Sequence, residues 1–338
     1  MPFLVSLKPT TAELTELRTK AEQGDAQAQS DLGNAYFVRL RDHVEGVRWY
    51  RLAAEQGHPA AQWSLGFAYE TGWGTPRDLG EAVRWYRLAA EQGHAEAQLC
   101  LGSACKRGEV VPQDYAEAVK WYLRAAEQEH FLCSAIAQFL LGLAYESGQG
   151  VSQDDAAAAK WFRKSAGGGI NHARLKLALI YQTGQGVPQD FEEAVKWFRK
   201  AAYAHHDEAM YHLGVAHYRG QGVPQDFEKA VKWFKRAANL GVAGARYDLG
   251  RAYANGQGVP RDLVEAHMWI NLASSLASED NRTRYIKDLD SIAEMMTPQQ
   301  LAEAQRLERE WKPVKRVDIL TEMGMERENI FFTGGSID

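Results

Sequence analysis

The chain has 338 residues, 45% hydrophobic and 25% charged, a balance that supports folded cores and excludes wholesale disorder. With 39 Lys and Arg against 44 Asp and Glu the formal net charge is −5, so no global positive field exists to hold nucleic acid or an acidic membrane. Three cysteines imply no disulfide scaffold; apolar runs such as Phe139 to Ala144 fall far below the about 18 residues that span a bilayer; and the first ten residues do not read as a signal peptide, so a cytoplasmic location is expected.

Residues 11–24 read as a lone helix with a polar outer face, and the segment 1–24 is expected to cap the first repeat unit. From 25 to 276 the chain repeats itself. Tryptophans stand at Trp49, Trp85, Trp121, Trp161, Trp197, Trp233 and Trp269, spaced by 36 except for one step of 40. Leu32-Gly33, Leu65-Gly66, Leu101-Gly102, Leu141-Gly142, Leu177-Ala178, Leu213-Gly214 and Leu249-Gly250 keep that period after a first step of 33. Between the two series runs a turn, clearest as Gly184-Gln185-Gly186-Val187-Pro188-Gln189-Asp190, so each of seven units is segment, glycine-rich turn, segment.

Both segments carry helical periodicity. Ala61, Leu65, Ala68 and Tyr69 form one stripe of a first helix, A; Ala118, Trp121, Tyr122, Ala125 and Ala126 form one stripe of a second, B. Asp before helix B and Glu three residues on predict capping boxes at Asp42/Glu45, Asp78/Glu81, Asp114/Glu117, Asp190/Glu193 and Asp262/Glu265. Gly57, Gly93 and Gly241 are placed to end helix B with a left-handed backbone. One short hairpin cannot bury its own apolar faces, so neighbours must stack into an α-solenoid. Gly102 and its equivalents, with Ala pairs such as Ala125-Ala126, allow close approach, and Trp121 and Tyr122 fill the space beside them.

Unit one is shortened between Phe37 and Asp42 and loses its double glycine. Four extra residues around Phe131-Leu132-Cys133 predict a helix A about one turn longer in unit four. Segment 277–312 is expected to close the core with two helices. The first, Ser278 to Met296, places Ile286, Leu289, Ala293 and Met296 on one face; the second starts at a Thr297 cap with Pro298 first and Gln300 third, and carries Leu301, Ala304, Leu307 and Trp311. Residues 313–338 lose the periodicity and form a tail that is either disordered or docks Ile330 to Phe332 on a groove.

The phrase Ala-Glu-Ala-Gln-Leu-Cys-Leu-Gly at 95–102, the Gly-x-Gly-Val-Pro-Gln-Asp turn, and Glu-Ala-Val-Lys-Trp followed by Ala-Ala resemble the Sel-1-like repeat family, a relative of the tetratricopeptide repeats with a slightly longer unit. The resemblance recurs seven times over about three quarters of the chain. Segment Met296-Thr297-Pro298-Gln299-Gln300 with Trp311 also resembles the helical closure that follows bacterial arrays of this kind. It implies an all-α fold, a right-handed α/α superhelix of seven 36-residue helix-turn-helix repeats with helical caps, acting as a noncatalytic adaptor in protein–protein contacts without a cofactor. Some positions depart from the pattern. Cys105 and His217 occupy a slot held by Tyr69, Tyr145, Tyr181 and Tyr253; Ala178 replaces the glycine; Glu129 and His205 replace the closing glycine; and the cysteine pair per unit of some secreted members is missing.

The glycine-rich turns follow a helix instead of a strand and lack the Lys-Ser/Thr of phosphate-binding loops. His58, His94, His130 and His206 share one position after helix B, one per unit, and a stacking distance of about 10 Å keeps them from a common metal. His205, His206, His212 and His217 lie closer in sequence but include no i, i+4 pair, so no metal is expected. Cys105 reads as a small buried hydrophobe. Basic pairs along helix B, such as Lys120 with Arg124 and Lys196 with Lys200, follow Glu117 and Glu193 in the order that suits the helix dipole and read as a solvated face.

The informative constellation lies on helix A, opposite its buried stripe. Two columns run there: Ser30/Asn34, Trp63/Phe67, Leu99/Ser103, Phe139/Leu143, Leu175/Leu179, Tyr211/Val215 and Tyr247/Arg251, with Glu70 beside the second pair. In helical solenoids of this kind the A helices line the inner curve, so the columns predict a concave groove for a protein or peptide partner. The first column can instead pack sideways against the next A helix, which makes the second the better contact surface. A dedicated toxin- or effector-neutralising binder, and a small-molecule or glycan-binding protein using the same groove, are the alternative functions.

Overall fold

The computed structural model describes residues 11–128 and 130–312; the aperiodic tail 313–338, Glu129 at its closing-glycine position and the first ten residues lie outside the described residues. Among the described residues the regular structure is helical throughout, and the chain divides into two compact units, 1–168 and 169–338.

In the first unit α1 (Thr11–Glu22) precedes four hairpins: α2 (Ala26–Asn34) with α3 (His43–Glu55), α4 (Pro59–Thr71) with α5 (Leu79–Glu91), α6 (Ala95–Arg107) with α7 (Tyr115–Ala126), and α8 (Phe131–Ser147) with α9 (Asp155–Gly167). The second unit holds three: α10 (Asn171–Thr183) with α11 (Phe191–Tyr203), α12 (Asp207–Arg219) with α13 (Phe227–Asn239), and α14 (Ala243–Asn255) with α15 (Leu263–Ser274). The closing helices are α16 (Glu279–Ala293) and α17 (Pro298–Glu310), both packed on α15. These are the hairpins of an all-α solenoid, with each repeat helix touching its chain neighbours within a unit. None of the described helices is long and apolar enough to cross a membrane.

The predicted stripes are the core. Ala61, Leu65 and Ala68 of helix A are buried, as are Ala118, Trp121, Tyr122 and Ala125 of helix B. A β-carbon on Gly102 would lie 2.6 Å from Cε1 of Tyr122, so the missing side chain is what lets the aromatic ring lie flat on α6. The second glycine of the turn has a different task. A β-carbon on Gly222 would collide with the Phe191 carbonyl at the start of the preceding helix B, so this glycine seats one repeat on the next.

The helix B caps are only half of what the sequence predicts. Asp78 and Asp114 do accept from the N–H groups of Glu81 and Glu117 at 3.0 and 2.8 Å. The reciprocal arm from Glu is replaced, because the Asp N–H already bonds back across the hairpin: Asp78 to the Tyr69 carbonyl, Asp114 to that of Cys105, Asp226 to that of His217, each at 2.9 Å. This bond uses the backbone of the tyrosine slot, which explains why Cys105 and His217 serve there as well as tyrosine. The released glutamates turn elsewhere: Glu45 and Glu265 accept from the indoles of Trp49 and Trp269 at 2.9 Å, and Glu117 and Glu193 pair with Lys120 and Lys196 at 3.1 and 2.7 Å. The other cations of the basic row cover the tryptophan rings, with Arg124 4.6 Å from Trp121 and Lys200 3.9 Å from Trp197. A complete capping box occurs at Thr297/Gln300.

Departures from the repeat have local causes. In unit one a π-helical turn over Ala35–Leu40 ends at Arg41 with φ +58° and carries Phe37 into the core, where Gly46 leaves the room that Ala82 and Ala118 fill in later units. His205 takes the left-handed conformation of the closing glycine at φ +72°. α8 has 17 residues where the other full A helices have 13, as the four extra residues require, and the added turn leaves Leu132 exposed while Cys133 is buried. On α16 the expected apolar face is rotated: Ile286 is exposed and Tyr285 buried, because Tyr285 stacks on Tyr247 of α14 at 4.0 Å between centroids.

Candidate functional site

The A-helix columns have different environments in the two units. In the first, Trp63 is half-buried and stacks on Phe67 and, across the repeat boundary, on His94, with centroids 6.1 and 5.6 Å away. Leu99, Phe139 and Leu143 are also half-buried, and Phe139 lies 5.8 Å from Phe162. Ser103 is within 3.4 Å of the Tyr122 hydroxyl, and Glu70 accepts from the Tyr86 hydroxyl at 2.7 Å while pairing with Arg107 at 3.4 Å. Sideways packing thus takes up much of the first column, and the polar members of the second bond inward to helix B.

In the second unit the same register positions meet polar partners. Leu175 and Val215 are buried and Leu179 half-buried. Tyr211 reaches across to α14, donating to Asp248 at 3.0 Å, and Gly244 makes room for its ring: a β-carbon there would stand 3.1 Å from Cζ. Tyr247, itself buried, repeats the reach one helix further and bonds Asp288 of α16. Arg284 donates to the Tyr247 hydroxyl at 3.1 Å and sits 4.6 Å from the ring centroid, while Arg251 stands 5.8 Å from the same ring.

Tyr211, Val215, Tyr247, Asp248, Arg251 and Arg284 line a cleft of about 550 Å³ between α12, α14 and α16. Its floor is aromatic, from Tyr211, Tyr218, Tyr247 and Tyr285, and its rim carries the exposed arginines Arg219, Arg251 and Arg284. A second cleft of about 330 Å³ shares Tyr211, Val215 and Arg219 and extends toward Gln182 and Phe191. Burial raises the Asp248 carboxyl above its usual range, opposed by the Tyr211 hydrogen bond and the nearby arginines; burial also raises the Tyr211 and Tyr247 hydroxyls. His212, beside the second cleft and stacked on Phe198 at 5.0 Å, is held down to about 4 by burial. Three guanidiniums around one desolvated carboxylate make the rim cationic on a chain whose net charge is −5.

Of the residues singled out from sequence, Tyr211, Val215, Tyr247 and Arg251 come together here; Trp63, Phe67, Glu70, Leu99, Ser103, Phe139 and Leu143 belong to the first unit and lie outside this cleft. Sequence reasoning missed Arg219, Asp248, Arg284 and Tyr285. Arg284 and Tyr285 stand on a helix outside the repeat, where the column rule has no register. Asp248 lies within reach of that rule, one residue after Tyr247 and three before Arg251.

A profile of the Sel1 repeat matches residues 26–58, 59–94, 95–130, 135–169, 171–206, 207–242 and 243–278. The chain belongs to the Sel1 repeat family. It is similar to a Sel1 repeat protein from Oxalobacter formigenes, 34% identical over 82% of this chain and 80% of that one, with a TM-score of 0.63. A protective antigen of uropathogenic Escherichia coli that displays the same repeat fold is 25% identical over 96% of this chain and 98% of that one, with a TM-score of 0.42. An immunity protein from Pseudomonas aeruginosa is 18% identical over 86% and 88% of the two chains, with a TM-score of 0.30. Among curated proteins none matches. Sel1 repeats are generally protein-interaction modules, and proteins built from them are typically noncatalytic.

Proposed function

We propose that this Sel1 repeat chain is a noncatalytic scaffold that binds a protein or peptide along its A-helix face, with the cleft between α12, α14 and α16 as its anchor point and a carboxylate-bearing segment as the preferred cargo. The observation that carries the reading is the cationic rim on the tyrosine floor. Arg219 and Arg251 make no ion pair among the described residues, so their guanidiniums are open to an incoming acid. A guanidinium grips a carboxylate through two parallel N–H donors, and tyrosine rings supply contact area at small cost in conformational entropy. The three unpaired cysteines suit a reducing cytoplasm.

A displayed peptide library panned on the full chain tests this. Enrichment of sequences with clustered Asp and Glu, or with a free C-terminal carboxylate in an apolar context, is expected, and the enriched peptides should lose at least about tenfold in affinity for an Arg251→Glu/Arg284→Glu variant of unchanged helicity. Enrichment of neutral or basic peptides, or binding indifferent to the charge reversal, would refute it.

A further inference from the structure

The one lengthened step in the tryptophan series, between units three and four, brings together side chains that the regular steps keep apart. Glu96 stands in the first turn of α6, while His130 and Cys133 stand at the N-cap and in the first turn of α8, the A helix of the next unit. Their ligand atoms all lie within 4.8 Å of one another. His130 Nε2 is 3.3 Å from Glu96 Oε1, and on the other side of the same carboxylate His94 Nδ1 is 3.5 Å from Oε2. The Glu96 carboxylate thus stands between the histidines of two successive units, across the repeat boundary.

We propose that Glu96, His130 and Cys133 form a binding site for a borderline-soft divalent metal ion of the Zn²⁺ type that ties α6 to α8. Imidazole, carboxylate and thiolate together are a ligand set that zinc accepts and that calcium and magnesium, which take oxygen ligands, do not. Three features of the site support it. Cys133 belongs to the inserted segment 131–134, which the repeat profile skips between its third and fourth matches, so the donor that completes the set is the one the insertion adds. At the two preceding steps the corresponding histidines are engaged as helix caps, His58 accepting from the Ala61 N–H at 3.3 Å and His94 from the Ala97 N–H at 3.4 Å, whereas His130 makes no such cap bond. His130 Nδ1 is moreover buried without a hydrogen-bond partner among the described residues, so the polar contact of this ring is the one its Nε2 makes with Glu96.

Zinc binding to the full, chelator-stripped chain is the test, read by calorimetry and by thermal unfolding with and without Zn²⁺. One ion per chain and a raised Tm are expected, with Co²⁺ showing thiolate-to-metal charge-transfer absorption. Cys133→Ser should abolish that absorption, and Cys133→Ser and His130→Asn should each weaken Zn²⁺ binding at least about tenfold, the scale on which even outer-sphere partners act. Cys100→Ser, on the same helix as Glu96 but outside the set, should leave both signals intact. Absence of stoichiometric Zn²⁺ binding by the wild-type chain, or binding unchanged by Cys133→Ser in a variant of unchanged helicity, would overturn the assignment.

Discussion

Position for position, the junction between units two and three and that between units six and seven are built from the same register, yet they end in different chemistry. At the first, Trp63 leans across onto His94, and the residue two beyond that histidine is Glu96. At the second, Tyr211 stands where Trp63 does, Gly244 stands where Glu96 does, and the emptied space admits a ring whose hydroxyl goes on to Asp248. The first junction is filled with stacked rings and a carboxylate shared between imidazoles; the second is left open and polar. The hairpin dictates where an A-helix side chain points, and the residue type at two positions decides whether that place becomes packing or a cleft.

The largest effects should fall on what the two regions share. Phe162 and Phe234 occupy the same helix B slot in the two units, 0% and 1% exposed, and each replaced by Ala should cost about 3–5 kcal/mol in denaturant unfolding. Unequal losses would break the equivalence of the hairpins on which the comparison rests. Gly102→Leu and Gly214→Leu come next. Each forces atoms into an aromatic ring, Tyr122 or Phe234, that a β-carbon alone would approach to 2.6 Å, and each should cost about 1–3 kcal/mol. A wild-type Tm in either variant would show that the helices can part without penalty.

A pH series sharpens the contrast on the second unit. His212 is held down to about 4 by burial, whereas the unfolded chain takes up its proton near the ordinary value of about 6.5. Stability present above about pH 6.5 is therefore lost as pH falls toward about 4, because the unfolded state binds the proton first. His217 and His267, also lowered by burial, add to the same slope. His212→Phe should flatten part of the decline of Tm between pH 6.5 and 4 while leaving the neutral-pH fold intact; an unaltered slope would mean the ring is hydrated in solution.

Much of this molecule is written in its period. The tryptophan ruler, the Leu-Gly series and the turn place helices A and B to within a residue or two, and the insertion announces a longer α8. Pairwise outcomes are less legible. That Asp114 N–H would bond the Cys105 carbonyl, and so leave Glu117 to Lys120, depends on two segments meeting in space, and a local capping rule sees one of them. Ile286 and Tyr285 compete for one face of α16, and the stacking of Tyr285 on Tyr247 settles it, a contact 38 residues away in sequence. The candidate cleft divides along the same line: Tyr211, Val215, Tyr247 and Arg251 come from the columns, while Arg284 comes from a helix without a repeat. Glu96, His130 and Cys133 lie in three separate sequence patterns, each of which has an ordinary structural role.

The smallest stability effects discriminate best between the two regions. Phe67 is half-buried against Trp63 and Trp73, with centroids 6.1 and 6.0 Å away, so Phe67→Ala should lose about 1–2 kcal/mol, below the 3–5 of a fully buried ring. Arg251 occupies the same column on α14 but is exposed, touches the Tyr247 ring from 5.8 Å and has no ion pair among the described residues, so Arg251→Ala should stay within about 0.5 kcal/mol of wild type. The two substitutions then part company in binding: the first should lower affinity for a carboxylate peptide only as far as it loosens the fold, the second by about tenfold at unchanged stability. If Arg251→Ala instead destabilises as much as Phe67→Ala, the arginine is a structural lid over Tyr247, and the open junction is packed after all.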